Sequence, residues 1–153
     1  MIHLEIPLRG TMDLQHAVFD INGTLAIDGV IDPEVVERLH VLSEQLTLHF
    51  LTAGTQGNIA ELERALNTSL HLISKAEEKM RYVQQLGPSG VVAIGNGIND
   101  IGMLRLAALG IVVLSTEGAA LRALQAGDVL VHSPVDAIDL LLRPKRLVAT
   151  LRG

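Results

Sequence analysis

The stretch V18-F-D-I-N-G-T-L25 decides the fold of this chain, and V91-V-A-I-G-N-G-I-N-D100 repeats its design. In both, an apolar run ends in a turn crowded with Gly, Asn and Asp. Such a run, too short for a helix and apolar at successive positions, reads as a strand buried on both faces. The polar turn then reads as its carboxyl end. An Asn-Gly step, Asn22-Gly23 or Asn96-Gly97, marks each change of direction.

The segments on either side follow the same rhythm. After a first buried strand at Ala17 to Ile21, D32-P-E34 supplies an N-cap and a proline for the first helical turn. Val35, Val36, Leu39 and Leu42 then line one face of a helix reaching about Glu44. The pattern predicts further strands at Leu46–Thr52, Leu70–Ser74, Val91–Gly95, Ile111–Leu114 and Val129–His132. Between them it predicts helices at about Asn58–Leu66, Ala76–Leu86, Asp100–Leu109 and Ala119–Ala126, and a helical tail from Val135. Continuous apolar strands separated by amphipathic helices imply a parallel sheet covered on both faces, because parallel neighbours need crossover connections. This is a doubly wound α/β domain spanning residues 1–153. The first eight residues alternate apolar and polar before Pro7 and Gly10 interrupt them, as for an edge strand or hairpin arm.

Composition narrows the chemistry. The 153 residues include no cysteine, which excludes thiolate metal sites and a disulfide framework and favours a reducing compartment. A net charge of −5, with two Phe, one Tyr and no Trp, argues against a nucleic-acid binder, which needs a basic surface and stacking platforms. No apolar run reaches the roughly 20 residues of a membrane span, and no signal peptide is evident, so a cytoplasmic protein is expected. The six histidines are scattered in sequence without metal-ligand spacing, and read as structural.

In a doubly wound sheet, ligands bind outside the carboxyl ends of the strands. Four pieces of this sequence fall there. Asp20 ends the first buried strand; its carboxylate can attack phosphorus or hold Mg²⁺, while Gly23 lets backbone amides approach a phosphate. Thr52 ends another strand, and its hydroxyl with the amides after it, beginning at Ala53, can bind a phosphoryl oxygen. Either Lys75 or Lys79 can neutralise charge between nucleophile and phosphate. Finally, G95-N-G-I-N-D100 gathers an acid and two carboxamides in one turn, suited to oxygen ligation of a hard cation.

In this order, each at a strand end, the four resemble the haloacid dehalogenase-like (HAD) superfamily of phosphotransferases. G95-N-G-I-N-D-I-G-M-L104 and K79-x-x-x-V-x-x-L86 look like the hinge region of P-type ATPase phosphorylation domains, and the whole chain resembles soluble P-type-ATPase-like phosphatases. The resemblance implies a Rossmann-like core and an aspartyl-phosphate on Asp20. Thr52 and Lys79, chosen over Lys75 for its spacing, would hold the phosphoryl group, with Gly23, Thr24 and Ala53 shaping its cradle. Mg²⁺ would be held by Asp20, the carbonyl of Asn22, and Asn96 or Asp100. A phosphorylated small molecule or a phosphoprotein would be the substrate.

The chain departs from the family at two positions. Asn22 stands where phosphatases of this superfamily carry an aspartate that serves as general acid and base, a function worth about 10²–10⁴-fold. Asn96 stands where an acid normally supports the metal. Slow turnover is therefore expected, the alternative being a degenerate module that binds a phosphorylated ligand or partner protein. The intervals Asp20–Thr52 and Thr52–Lys79 are too short for a cap domain, so the chain is expected to be capless with a short N-terminal β extension. The apolar residues at 2–8, taken as an exposed edge, suggest a homo-oligomer.

Overall fold

The computed structural model describes residues 1–153. Its centre is a sheet of six strands, all parallel to their neighbours. In chain order these are β3 (His16–Asp20), β6 (Thr47–Thr52), β7 (His71–Leu72), β8 (Val91–Gly95), β9 (Leu109–Val113) and β10 (Val129–Val131). Across the sheet the order is β10-β9-β8-β3-β6-β7, which places β3 between β8 and β6. The strand order reverses at β3, so Asp20 at its end sits at the topological switch point.

Helices cover both faces, as the double-sided burial of the strands demands. On one face α1 (Pro33–Leu42) packs against α6 (Pro134–Leu142), which packs against α7 (Pro144–Leu151). Ala17 and Phe19 of β3 point into this layer, and Phe19 stacks on Phe50 of β6 at 5.6 Å between ring centres. On the other face α3 (Ala76–Leu86), α4 (Ile101–Leu106) and α5 (Leu121–Ala126) cover Val18, Leu51 and Ala93. The remaining helix, α2 (Ile59–Leu66), follows the loop after Thr52. Asp32 caps α1 by accepting a bond from the amide of Glu34 at 2.8 Å, as its D-P-E start predicts. Arg38 of α1 donates to Asp139 of α6 at 2.9 Å, tying that layer together.

The structure extends or departs from the sequence-based expectation in several places. The N-terminal arm is, as one of the two expected alternatives, half of an antiparallel hairpin, β1 (Ile2–Ile6) with β2 (Gly10–Leu14). Its apolar side chains Ile2, Leu4 and Ile6 are buried in the main core under α7, so they do not form the exposed apolar edge from which self-association was inferred. A second hairpin, β4 (Ala26–Ile27) with β5 (Val30–Ile31), follows the Asp20 turn. Asp28 and Gly29 at its tip both have positive φ, 52° and 78°, which an Asp-Gly pair tolerates. The strand expected at Leu70–Ser74 shortens to His71–Leu72, at the edge of the sheet. The C-terminal tail is two helices, because Pro144 cannot donate an amide bond and a new helix starts there. No helix is long and apolar enough to cross a membrane.

Candidate active site

The Asp20 turn is built around one carbonyl. The amides of Thr24, Leu25 and Ala26 donate to Ile21 O at 3.2, 3.0 and 2.9 Å, winding residues 21–26 into a tight loop. Gly23 has φ +78°, and a Cβ there would lie 2.5 Å from Asn96 Nδ2. Glycine thus serves twice, for the backbone conformation and for the close approach of the second turn.

That second turn folds back on itself around Asp100. Asp100 Oδ2 accepts bonds from the amides of Asn96 at 3.0 Å and Gly97 at 2.9 Å. A Cβ on Gly95 would lie 2.7 Å from Asp100 Cγ, so only glycine lets the carboxylate tuck beneath its own loop. The other oxygen, Oδ1, accepts from Lys79 Nζ at 2.8 Å, and the same ammonium donates to Asp20 Oδ1 at 2.7 Å. Lys79 lies on α3 with no exposed surface. Lys75, the alternative, is exposed at the N-terminal end of that helix. The structure therefore brings Lys79 and not Lys75 to Asp20.

Thr24 is the hinge between the two turns. Its buried hydroxyl lies 3.0 Å from Asp20 Oδ2 and 3.2 Å from Asn96 Oδ1. Asn96 is oriented by a second bond, from its Nδ2 to Gly118 O at 3.2 Å, and the Ser115 hydroxyl donates to Gly23 O at 3.1 Å. An aspartate at position 96 would set a carboxylate oxygen against the Gly118 carbonyl. Asn96 is thus fitted to its slot by hydrogen-bond polarity. On the opposite side Thr52 Oγ1 accepts from the Gly54 amide at 3.2 Å and from Asn22 Nδ2 at 3.3 Å. Ala53 lies between, half-buried. Asn22 Oδ1 is buried and has no partner.

The electrostatics follow from burying two carboxylates with one ammonium. Burial, reinforced by the charge of Asp100, pushes the Asp20 carboxyl up to about 7, and Lys79 and Thr24 only partly oppose this. Burial alone would lower the Lys79 ammonium, but the two carboxylates more than reverse that and hold it above its ordinary value. With Asp20 ionised the cluster carries one uncompensated negative charge, so a divalent cation is electrostatically welcome. The donors on offer, a carboxylate, carboxamide oxygens and backbone carbonyls, are hard oxygens of the kind Mg²⁺ prefers. Both Asp100 oxygens are already engaged, whereas Asp20 Oδ2 and Asn96 Oδ1 share only the Thr24 hydroxyl.

The histidines show what the sequence reading missed. Three of the six converge on the α3 face of the sheet: His16 Nδ1 lies 3.2 Å from His49 Nε2, His49 Nδ1 lies 2.9 Å from the Tyr82 hydroxyl, and that hydroxyl lies 3.1 Å from His71 Nε2. They read as scattered because their neighbourhood comes from three strands. The signal was parity: His16 shares a strand face with Val18 and Asp20, and His49 shares one with Leu51. Burial, helped by the imidazoles of His16 and His71, lowers the His49 pKa to about 4 from the ordinary 6.5. Between these values the unfolded chain binds the proton and the native state refuses it, so stability falls as pH drops from about 6.5 towards 4. Replacing His49 with glutamine should flatten that limb of a melting-temperature profile; an unchanged slope would contradict the assignment.

A surface groove of about 1090 Å³ lies between α1, β6 and the end of α2, lined by Val36, Leu39, Leu48 and Leu66. It is separate from the ionised cluster at Asp20.

Comparison with known proteins bears on the fold. No family model matches the chain. It is 47% identical over 62 residues to an uncharacterised protein of Methanocaldococcus jannaschii, covering 40% of this chain and 67% of that protein. Among solved structures, the 3-deoxy-D-manno-octulosonate 8-phosphate phosphatase of Yersinia pestis superposes with a TM-score of 0.69 at 11% identity, over 96% of this chain and 95% of that one. The Moraxella catarrhalis enzyme of the same name, solved with magnesium, phosphate and 3-deoxy-D-manno-octulosonate, gives 0.66 at 16% identity over 91% and 94%. A provisionally assigned HAD family hydrolase of Streptomyces avermitilis gives 0.63 at 18% identity over 84% and 90%. The chain therefore belongs with the archaeal protein in one sequence family, and its fold is that of the HAD hydrolases.

Proposed function

We propose that this protein is a Mg²⁺-dependent phosphatase of the HAD type, working through an aspartyl-phosphate on Asp20. The observation that carries this reading is the buried Lys79 bridge between Asp20 and Asp100 at a sheet switch point. The fold shared with the phosphatases above, one of them bound to magnesium and phosphate, supports it. Asp20, the Asn22 carbonyl and Asn96 are the ligands we assign to Mg²⁺. Asp100, with both oxygens engaged, instead positions Lys79. The bound cation would supply charge neutralisation for the incoming phosphoryl group.

An Asp20 carboxylate oxygen attacks phosphorus as the bond to the leaving group breaks, its electrons going to the departing oxygen. Thr52, the amides from Ala53, and Lys79 hold the phosphoryl oxygens, and Gly23 and Thr24 keep the loop in place. Asn22 has no proton to give, so the departing oxygen must be stable as an anion or take its proton from solvent. Aryl and acyl phosphates should therefore be the best substrates. Only the short β4–β5 hairpin lies between Asp20 and α1, so the site is open to small phosphorylated molecules and to phosphoproteins alike. The reading includes a cytoplasmic setting, from the absence of cysteine.

The test is hydrolysis of p-nitrophenyl phosphate with Mg²⁺. The wild type should turn over slowly, with loss of the rate in Asp20→Ala. Equal rates in both proteins would sink Asp20 catalysis. If neither protein hydrolyses it yet the wild type binds vanadate, the rival reading stands: an inert phosphate-binding module, favoured by Asn22 and Asn96.

A further inference from the structure

The loop between β9 and α5 carries none of the residues assigned to the chemistry, yet it holds both turns that do. Residues Ser115–Gly118 close on themselves, the Gly118 amide donating to Ser115 O at 2.8 Å. Ser115 Oγ accepts from the Glu117 amide at 3.2 Å, so its own proton is directed outward, to Gly23 O at 3.1 Å. A carbonyl can only accept, which fixes the polarity of that bond. From the same turn Gly118 O accepts from Asn96 Nδ2 at 3.2 Å, and two residues on, the Ala120 amide donates to Asn96 O at 2.9 Å.

These bonds act on two of the three groups assigned to Mg²⁺. Gly23, at φ +78°, is the link of the Asp20 turn with the widest conformational freedom. It is pinned on both sides, its N–H donating to Ala26 O at 2.8 Å and its carbonyl held by Ser115. Because the peptide joining Asn22 to Gly23 is planar and trans, an N–H directed at Ala26 sets the Asn22 carbonyl pointing the opposite way. Asn96 is pinned likewise, its amide on Asp100, its carbonyl under Ala120 and its Nδ2 on Gly118, which leaves Oδ1 facing the Thr24 hydroxyl. That hydroxyl has one proton for two oxygens, Asn96 Oδ1 and Asp20 Oδ2, so one of them is always without a donor and open to a cation. We propose that Ser115 is a positioning residue for the divalent cation: by holding the Gly23 carbonyl it keeps the Asn22 carbonyl in its ligating direction, so that a side chain outside the site sets the affinity for Mg²⁺. This rests on the Mg²⁺ reading above. A loop already in place binds more tightly than one that must be ordered on binding.

The experiment is thermal melting of the full-length, metal-free protein across a Mg²⁺ titration, because the concentration at which Tm rises reports affinity without any turnover. Ser115→Ala should need about tenfold more Mg²⁺ than the wild type, the low end of what losing an outer-shell bond costs a metal site. Ser115→Thr, which keeps the hydroxyl, should match the wild type within about twofold, as should Thr116→Ala, whose side chain is exposed on the same turn. An unchanged Mg²⁺ response in Ser115→Ala, whatever its Tm without metal, would overturn the proposal by reducing Ser115 to a structural role. Equal weakening in Ser115→Ala and in either of the other two variants would overturn it as well, since the folding of the loop and not the hydroxyl would then be responsible. If the Tm of the wild type does not respond to Mg²⁺ at all, the Mg²⁺ reading falls and this proposal with it.

Discussion

Replacing Lys79 with methionine is expected to destabilise the protein by about 3–5 kcal/mol at pH 8, the usual cost of removing one partner from a buried ionic cluster. The methylene stem of Lys79 is as buried as its ammonium, and methionine fills most of that volume. What methionine cannot replace is the charge shared by Asp20 and Asp100 at 2.7 and 2.8 Å. Two carboxylates would remain in a dry site with mutual repulsion and no cation. For a chain of this size the loss corresponds to a fall in Tm of roughly 10 °C. The penalty should shrink at pH 5, below the raised pKa of Asp20, where that carboxyl carries a proton and needs no cation. Urea unfolding at the two pH values measures this, and a loss below about 1 kcal/mol at pH 8 would contradict the cluster.

Replacing Asp20 with asparagine is expected to act in opposite directions on activity and stability. Phosphoryl transfer should vanish, because a carboxamide is not a nucleophile towards phosphorus. Stability of the metal-free protein should rise at pH 8. The folded-state pKa of Asp20, about 7, lies above the ordinary 3.8, so the native state binds the extra proton between these values. Stability therefore declines as pH rises through that window and stays low above it. A shift of this size, already net of the opposing Lys79 contact, corresponds to at most about 4 kcal/mol. Thermal melts of wild type and Asp20→Asn from pH 4 to 8 would show the wild-type decline and its absence in the variant. Added Mg²⁺ should restore the wild type and leave the variant unmoved. A variant less stable than wild type at pH 8 would mean that the carboxylate is well accommodated without a cation.

Much of this site was legible because its chemistry lies at strand ends, and strand ends can be read from apolar runs. Asp20, Thr52 and the turn at 95–100 each close such a run, and the parallel sheet brings β3, β6 and β8 side by side. The division of labour within the site was not legible. Asn96 and Asp100 are interchangeable as oxygen donors in a sequence. Only the bonds from Lys79 and from two amides reveal that Asp100 is committed, and only the Gly118 carbonyl explains a carboxamide at position 96. The β4–β5 hairpin escaped notice because two-residue strands leave no alternation to read. The expected helix from Asp100 to Leu109 ends at Leu106, because β9 begins at Leu109 and the chain must turn back to the sheet. Burial of Ile2, Leu4 and Ile6 depends on a partner strand and on α7, elements distant in sequence.

The central claim, that Asp20 is the phosphoryl acceptor, is tested most directly by finding the phosphoryl group. Protein incubated with acetyl phosphate and Mg²⁺, acid-quenched and digested, should carry one hydroxylamine-labile phosphoryl group on the peptide containing Asp20. A stable phosphoryl group on any other residue, or an unmodified Asp20 peptide while phosphate is released, would contradict the account.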